Sequence, residues 1–294
     1  MPLGPELDAA ELAALEDLAV DLAVRAGRFV RDGRPRDVEV SGTKATDLDV
    51  VTEMDTGAEA LLREGITAAR PDDAVLGEEE GATGGSTGLT WVIDPIDGTV
   101  NYLYGIPAYA VSVAVVVGDP TVPGAWETVA GAVVNPEVGE VFHARRGGGA
   151  WRRRWPAVGT VDDLGEPERL AASRQENLEH CLVGTGFSYD RADRVVQGEV
   201  ARQMLLRARD LRRMGAAALD LCSVAAGRLD AYYESGLKPW DLAAGILVAE
   251  EAGARVSGLD GPPGEAMVVA AGAAVYPAFH ALLTELQRAA RTGG

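Results

Sequence analysis

Apolar residues at Leu12, Leu15, Leu18, Leu22, Ala26 and Phe29 recur at three- and four-residue intervals, the spacing of one helix face, and the stripe ends near Gly33. Asp8 and Glu11 stand ahead of it as an N-cap pair. A second helix is predicted from Thr52, with Leu61, Leu62 and Ile66 inward, stopping before Pro71. Between the two helices, residues 38–40 are a strand candidate and residues 42–47 a polar loop. Short apolar runs at 74–76 and 90–93 lie between turn formers and read as strands. Residues 109–117, 128–134 and 139–144 continue as a β meander, turning at Gly118-Asp119 and Asn135-Pro136.

Beyond an arginine- and glycine-rich stretch at 145–155 the pattern changes. Strands are predicted at 181–184, 230–233 and 268–271, and helices at 191–209, 215–226, 241–252 and 277–291. Gly227 and Gly253 close two of these helices, and Asp241 is placed to cap one. Strands and helices interleave without a strict βαβ repeat, so the expected class is α+β. Two subdomains are expected, 1–155 and 156–294, together forming one unit.

The chain has 294 residues and a formal charge of −18, with 45 acidic and 27 basic side chains. A chain of this size buries about three-quarters of its unfolded surface, so no disulfide or metal is needed merely to hold it together. The acidity excludes a broad basic face for nucleic acid or an anionic membrane. Arginine is dense only at 145–154 and 202–213, which read as solvated turns or helix faces. Cys181 and Cys222 have neither metal-like nor redox spacing, and the N-terminus opens acidic, unlike a signal peptide. The longest uncharged run, 98–118, carries Asn101, Gly105 and Pro107 and reads as loop followed by strand rather than a membrane helix. A cytoplasmic protein is expected. His143, His180 and His280 are too scattered for a histidine metal site.

The charge is uneven. Residues 45–100 hold thirteen acidic and two basic side chains, a net −11, leaving −7 for the rest. Four acids or acid pairs adjoin structural boundaries: Asp55 in a helix's first turn, Glu78-Glu79 and Asp94-Pro-Ile-Asp97-Gly98-Thr99 after apolar runs, and Asp241 after Trp240. Carboxylate and carbonyl oxygens without histidine or cysteine form a hard ligand set, which favours Mg²⁺ or Mn²⁺ over zinc. Pro95 fixes the backbone between Asp94 and Asp97, so the pair can aim at one side, and the Gly98-Thr99 amides that follow suit a phosphate oxygen. Cations held beside an anion cradle make a phosphoryl-transfer site, because a phosphate dianion would otherwise be repelled. Taken singly, Asp55 could be a capping-box partner of Thr52, Glu78-Glu79 a solvated run, and Asp94–Thr99 a tight turn.

Four ordered motifs resemble the inositol monophosphatase family of magnesium-dependent, lithium-sensitive phosphatases. Trp91-Val-Ile-Asp-Pro-Ile-Asp-Gly-Thr-Val-Asn101 matches the W-x-x-D-P-[IL]-D-G-T-x-N signature, and Gly77-Glu78-Glu79 the G-E-E element. Asp49-Val-Val-Thr-Glu-Met-Asp55 is similar to D-L-V-T-x-x-D, with Lys44 upstream. Asp230-Ala-Tyr-Tyr-Glu234 and Trp240-Asp-Leu-Ala-Ala-Gly245 resemble the C-terminal signature. The resemblance implies a layered α/β/α/β/α sandwich and the following roles. Glu78, Asp94 and the Ile96 carbonyl would hold a first Mg²⁺, and Asp94, Asp97 and Asp241 a second. Glu78 would help a weaker third ion. Asp55 and Thr99 would orient and deprotonate the attacking water. The Gly98 and Thr99 amides would grip phosphate, and Asp97, the Ala217 amide and Glu234 would contact the alcohol part of the substrate. Lys44 and Glu79 are further candidates. One position departs: Gly215-Ala216-Ala217 lacks the hydroxyl residue many relatives carry, so a substrate hydrogen bond is lost or replaced.

The expected activity is hydrolysis of a small phosphate monoester, myo-inositol 1-phosphate first. Fructose 1,6-bisphosphate, adenosine 3′,5′-bisphosphate and histidinol phosphate are the alternatives. Relatives of this kind are commonly homodimers, and no nucleic-acid or membrane partner is expected. Haloacid-dehalogenase-like phosphatases carry an aspartyl nucleophile in D-x-D-G-T, but here two residues separate the acids. A cation-buffering protein would need no phosphate cradle.

Overall fold

The computed structural model describes residues 4–43, 50–156 and 161–292. Helix α1 (Ala9–Asp32) starts on the expected capping box: Asp8 accepts the N–H groups of Ala10 and Glu11, and the Glu11 carboxylate accepts that of Asp8. Strands β1 (Gly42–Thr43) and β2 (Val50–Val51) pair antiparallel. The strand expected at 38–40 is absent, and β1 starts where a loop was expected; Glu39 and Val40 are exposed. Helix α2 (Glu53–Ala69) follows its Thr52 cap and buries Leu62 and Ile66.

Eight strands form the first sheet: β3 (Ala74–Gly77), β4 (Gly81–Thr83), β5 (Leu89–Asp97), β6 (Ala110–Gly118), β7 (Trp126–Asn135), β8 (Glu140–Arg145), β9 (Gly149–Arg154) and β10 (Glu168–Arg169). Their order is β10-β9-β8-β7-β6-β5-β3-β4, and only β3 and β5 run parallel. A short helix, α3 (Thr99–Tyr104), follows β5. The 145–154 arginine stretch, read as a solvated turn or helix face, is the turn and second strand of a hairpin. Gly147 and Gly149 turn it at φ 72° and 78°, values that a side chain would strain. Arg152 and Arg154 then join Arg228 around the buried Glu140.

The second sheet contains β11 (Leu182–Thr185), β12 (Asp210–Arg212), β13 (Ala231–Glu234), β14 (Ala254–Ser257) and β15 (Val268–Gly272), ordered β12-β11-β13-β15-β14. Helices α4 (Arg191–Met204), α5 (Ala217–Ala225), α6 (Pro239–Glu251) and α7 (Tyr276–Thr292) complete the chain. Helix α4 stops five residues before the expected 209, and β12 takes part of the second arginine-dense stretch. Helix α6 begins at Pro239 with Lys238 as its cap, so Asp241 is the third helical residue rather than the cap.

Four apolar clusters fix the layering. Leu22, Leu62 and Ile66 pack with Trp91 and Ile93 on one face of the first sheet. On its other face, Val92 and Phe142 meet Ala218, Cys222, Ala244 and Leu247 from α5 and α6. The opposite side of the same two helices, through Leu221 and Ile246, packs on Tyr232 and Val268 of the second sheet. Met204, Phe279 and Leu283 cover the remaining face of that sheet. The result is the expected α+β sandwich, α/β/α/β/α. Strand β10 lies past residue 155 yet extends the first sheet, and α5 and α6 are shared by both sheets.

Candidate active site

The end of β5 is irregular. Its pairing with β6 slips between Asp94 and Asp97, where Pro95 and Ile96 are accommodated as a bulge. Asp94 Oδ1 accepts the Ile96 N–H at 3.0 Å, which closes the local turn. Gly98 then takes φ 93°, with Gly215 and Ala108 carbonyls crowding the place of a Cβ. Strand passes directly into α3 at Thr99.

This geometry brings Asp94 and Asp97 together with Asp241, about 140 residues away in the chain. One carboxylate oxygen from each lies within 4.8 Å of the other two. Asp94 is 1% exposed and Asp97 7%. Burial, with the Asp241 carboxylate beside it, holds the Asp97 carboxyl well above the usual carboxylate range, although the Ala218 and Ala217 amides pull it down. Those amides open α5, and their bonds to Asp97 measure 2.8 and 3.2 Å. Asp241 accepts the Lys238 N–H at 2.6 Å, so α6 fixes it in turn. Three crowded carboxylates with only oxygen donors fit a hard divalent cation, which would relieve the repulsion that burial intensifies.

Asp55, fully buried, sits next to this cluster. Its Oδ2 accepts from the Thr52 N–H at 2.8 Å and the Thr52 hydroxyl at 2.5 Å, so the expected capping box forms. Its Oδ1 lies 3.0 Å from the Thr99 hydroxyl, which is also 3.0 Å from the Ile96 carbonyl. The hydroxyl has one proton, so it can donate to one of these oxygens at a time. Asp55 thus serves the helix cap and the Thr99 contact at once.

A cavity of about 400 Å³ opens over these residues, lined by Glu78, Asp94, Ile96, Asp97, Gly98, Thr99, Ala217, Glu234 and Asp241 among others. Nine of the twelve residues singled out from the sequence therefore share one cavity. Asp55 joins through Thr99, Glu79 does not line the cavity, and Lys44 lies outside the described residues. A separate cavity of about 310 Å³ beside α7 contains none of them.

Glu234 ends β13 and accepts the Tyr232 hydroxyl at 2.6 Å. Burial pushes its carboxyl up to about 7, against the Tyr232 bond and the Arg213 charge. Gly186 makes room for it, since a Cβ there would overlap the carboxylate. Two neighbours escaped the sequence reading. Arg213 lines the cavity, although its stretch read as solvated. Asp220, on α5, buries both carboxylate oxygens without a hydrogen-bond partner among the described residues, and burial plus the Glu234 and Asp97 charges raise its carboxyl well above the usual range. The position of Arg213, two residues before the Gly215-Ala-Ala element, was the only available sequence signal for it.

The model of the inositol monophosphatase family matches residues 11–292. An inositol-1-monophosphatase of Mycobacterium leprae is 44% identical, over 93% of this chain and 94% of its own length. A Nus factor SuhB of Pasteurella multocida is 36% identical, over 83% of this chain and 85% of its own. The solved structure of Mycobacterium tuberculosis SuhB superposes with a TM-score of 0.76 at 42% identity, covering 93% of this chain and 97% of that one. With the motifs in order and the fold shared, the chain belongs to the inositol monophosphatase family and is a phosphatase.

Proposed function

We propose that the protein hydrolyses myo-inositol 1-phosphate to myo-inositol and phosphate, dependent on Mg²⁺ and by direct attack of water. The observation that carries the reading is the convergence of Asp94, Asp97 and Asp241 within 4.8 Å, beside the Asp55–Thr99 contact. Glu78, Asp94 and the Ile96 carbonyl would hold one ion, Asp94, Asp97 and Asp241 a second, and Glu78 a third, with Mn²⁺ as a substitute. When bound, these ions supply the positive charge that draws phosphate into an acidic cavity and makes water more acidic. Thr99 accepts a hydrogen bond from the attacking water while donating its own to Asp55, so as the water attacks its proton passes to the Thr99 oxygen and the Thr99 proton to the Asp55 carboxylate, which becomes neutral. The Gly98 and Thr99 amides hold the phosphate oxygens, and Asp97, Glu234 and the Ala217 amide position the alcohol. The Ala217 amide already donates a long bond to Asp97, 3.2 Å, so it can share its proton with a substrate oxygen.

One observation favours a substrate with a second anionic group. Six acidic residues line the cavity with two cations; Lys238 pairs with Glu265, which leaves the Arg213 guanidinium facing the Glu234 side. Fructose 1,6-bisphosphate or adenosine 3′,5′-bisphosphate would use it, and histidinol phosphate would not. Phosphate release from the four substrates in Mg²⁺ decides between these readings. Highest kcat/KM is expected for inositol 1-phosphate, with inhibition by lithium. Trapping a phospho-aspartate on Asp94 would overturn direct attack by water.

A homodimer is the proposed assembly. Tyr104, 75% exposed at the end of α3, and Ile106 and Met214, on two loops, present apolar side chains, and Asn101 ties the loops through the Ala108 and Met214 carbonyls. The two free, buried cysteines support a reducing, cytoplasmic location. Among the described residues, no helix is long and apolar enough to cross a membrane.

A further inference from the structure

Glu59 lies on α2 one turn beyond Asp55, and Arg63 one turn beyond Glu59. The i, i+4 spacing puts all three on one helix face. Glu59 is fully buried, where an ionised side chain persists only if its oxygens are satisfied. Its Oε2 accepts the Glu79 N–H at 2.8 Å, and its Oε1 accepts the Glu80 N–H at 2.9 Å and the Arg63 guanidinium at 2.8 Å. Arg63 reaches past it to the Gly81 carbonyl at 2.5 Å. The pair therefore grips both polarities of the turn between β3 and β4: the carboxylate takes its N–H groups and the guanidinium its carbonyl.

That turn presents Glu78 to the cavity. The residue before it is glycine for a local reason, because a Cβ on Gly77 would overlap the Glu59 carboxylate. Glu59 does not line the cavity and bonds to no residue of the aspartate cluster.

From this arrangement we propose that Glu59, braced by Arg63, is a positioning residue that sets the Glu78 carboxylate for cation binding, and so ties it to Asp55 through one helix face. The proposal rests on Glu78 being a cation ligand. A bond partner standing behind a ligand typically changes metal affinity or activity by about 10–100-fold when removed. Here the lever is the turn backbone, held from behind, rather than the ligand side chain itself.

The test is Mn²⁺ binding without substrate, followed by calorimetry and by the electron paramagnetic signal of free Mn²⁺, on Glu59→Gln, Arg63→Gln and Asp94→Asn. Both oxygens of Glu59 accept N–H groups, so an amide in either orientation sets a donor against a donor. Folded Glu59→Gln is expected to bind Mn²⁺ about 10–100-fold more weakly. Arg63→Gln is expected to shift binding in the same direction by less, and it decides the matter if Glu59→Gln does not fold. A merely structural role would lower the melting temperature and leave the Mn²⁺ affinity of the folded variants at the wild-type value; that result overturns the proposal. Asp94→Asn separates the two readings. If it too binds Mn²⁺ like wild type, the metal assignment fails, whereas its loss of binding beside unchanged Glu59 and Arg63 variants sinks only the positioning role.

Discussion

Replacing Thr99 with valine removes a hydroxyl from the centre of the site and keeps the side chain's shape. The structure separates its two consequences. For the fold, Asp55 loses a 3.0 Å bond on Oδ1 but keeps both Thr52 bonds on Oδ2. A hydrogen bond to a charged group contributes about 1.5–3 kcal/mol. For a protein of this size, that lowers the melting temperature by about 3–12 °C, at roughly 2–4 °C per kcal/mol. For catalysis, the proposed role has Asp55 reach the water through Thr99, a link that valine would cut, and positioned general bases contribute about 100- to 10,000-fold. That range corresponds to about 2.7–5.4 kcal/mol of barrier at 1.36 kcal/mol per tenfold. The assay is kcat for phosphate release in saturating Mg²⁺, at least 20 °C below the variant's melting point as a working margin of about that size. Thr99→Val is expected to lose at least about 100-fold in kcat while Thr99→Ser, which keeps the hydroxyl, retains most of it. A valine enzyme that keeps more than about a tenth of wild-type kcat would refute the assignment of Asp55 and Thr99 to the water, since general-base effects are larger than that.

Further outcomes follow from the same geometry. Asp94→Asn should abolish Mg²⁺-dependent activity and Mn²⁺ binding together; retained activity would show that the metal assignment is wrong. The raised Asp97 carboxyl means that a proton and a cation compete for the same oxygens, so apparent Mg²⁺ affinity should fall as pH falls, read as the half-saturating Mg²⁺ concentration across a pH series. Glu234 has a folded value of about 7 against an ordinary value of about 4.3, so the folded state binds the extra proton between them. Its contribution to stability is full below about pH 4.3 and disappears as pH rises to about 7. In chelator, Glu234→Gln should therefore show a flatter decline of melting temperature with pH over that interval. Glu140→Gln, which weakens the bonds to Arg152, Arg154 and Arg228, should destabilise by about 1–3 kcal/mol in urea unfolding without changing kcat, because Glu140 does not line the cavity.

The long helices and the central meander were legible because each buries a face, and burial leaves a period in the sequence. Leu22, Leu62 and Ile66 have the 3.6-residue signature and are all fully buried. The elements that escaped have little apolar content to betray them. Strand β9 reads Gly-Ala-Trp-Arg-Arg-Arg, and its arginines look solvated until Glu140 appears beneath them, placed by the neighbouring strand. Strand β12, Asp-Leu-Arg, is too short to show a period. Residues 38–40 alternate like a strand, but only Val38 packs against the core, while Glu39 and Val40 stay exposed and pair with no strand among the described residues. Asp241 was misplaced by three positions, from cap to third helical residue, because Pro239 and Trp240 are already helical, and proline at the first helical position needs no N–H partner. In the site, side chains within compact motifs were readable and those acting from outside were not. Arg213 and Glu59 reach their positions through the second arginine run and a helix interior, where a charged residue ordinarily faces water.

The carboxylates of the site present an electrostatic problem that the secondary structure partly answers. Burial and mutual repulsion both favour the neutral acids, yet cation binding requires the ions. Asp55 and Asp241 each occupy the third position of a helix and accept the N–H of its capping residue. Asp97 accepts the first two N–H groups of α5. Three of the site acids thus stand at the positive ends of three different helices, an interaction contributing about 0.3–1 kcal/mol each near a surface and up to about 2 kcal/mol where partly buried. The same bonds cannot remove the crowding, since Asp97 stays raised despite both amides. What remains uncompensated is the charge that a divalent cation would neutralise. On this view the −11 segment is more than excess acidity. Two of its carboxylates, Asp55 and Asp97, are held by helix ends, and the residual repulsion is what would make cation binding favourable. Two proposed carboxylate ligands lack a helix end: Asp94 accepts the Ile96 N–H inside the β5 bulge, and the turn that carries Glu78 is held from behind by Glu59 and Arg63.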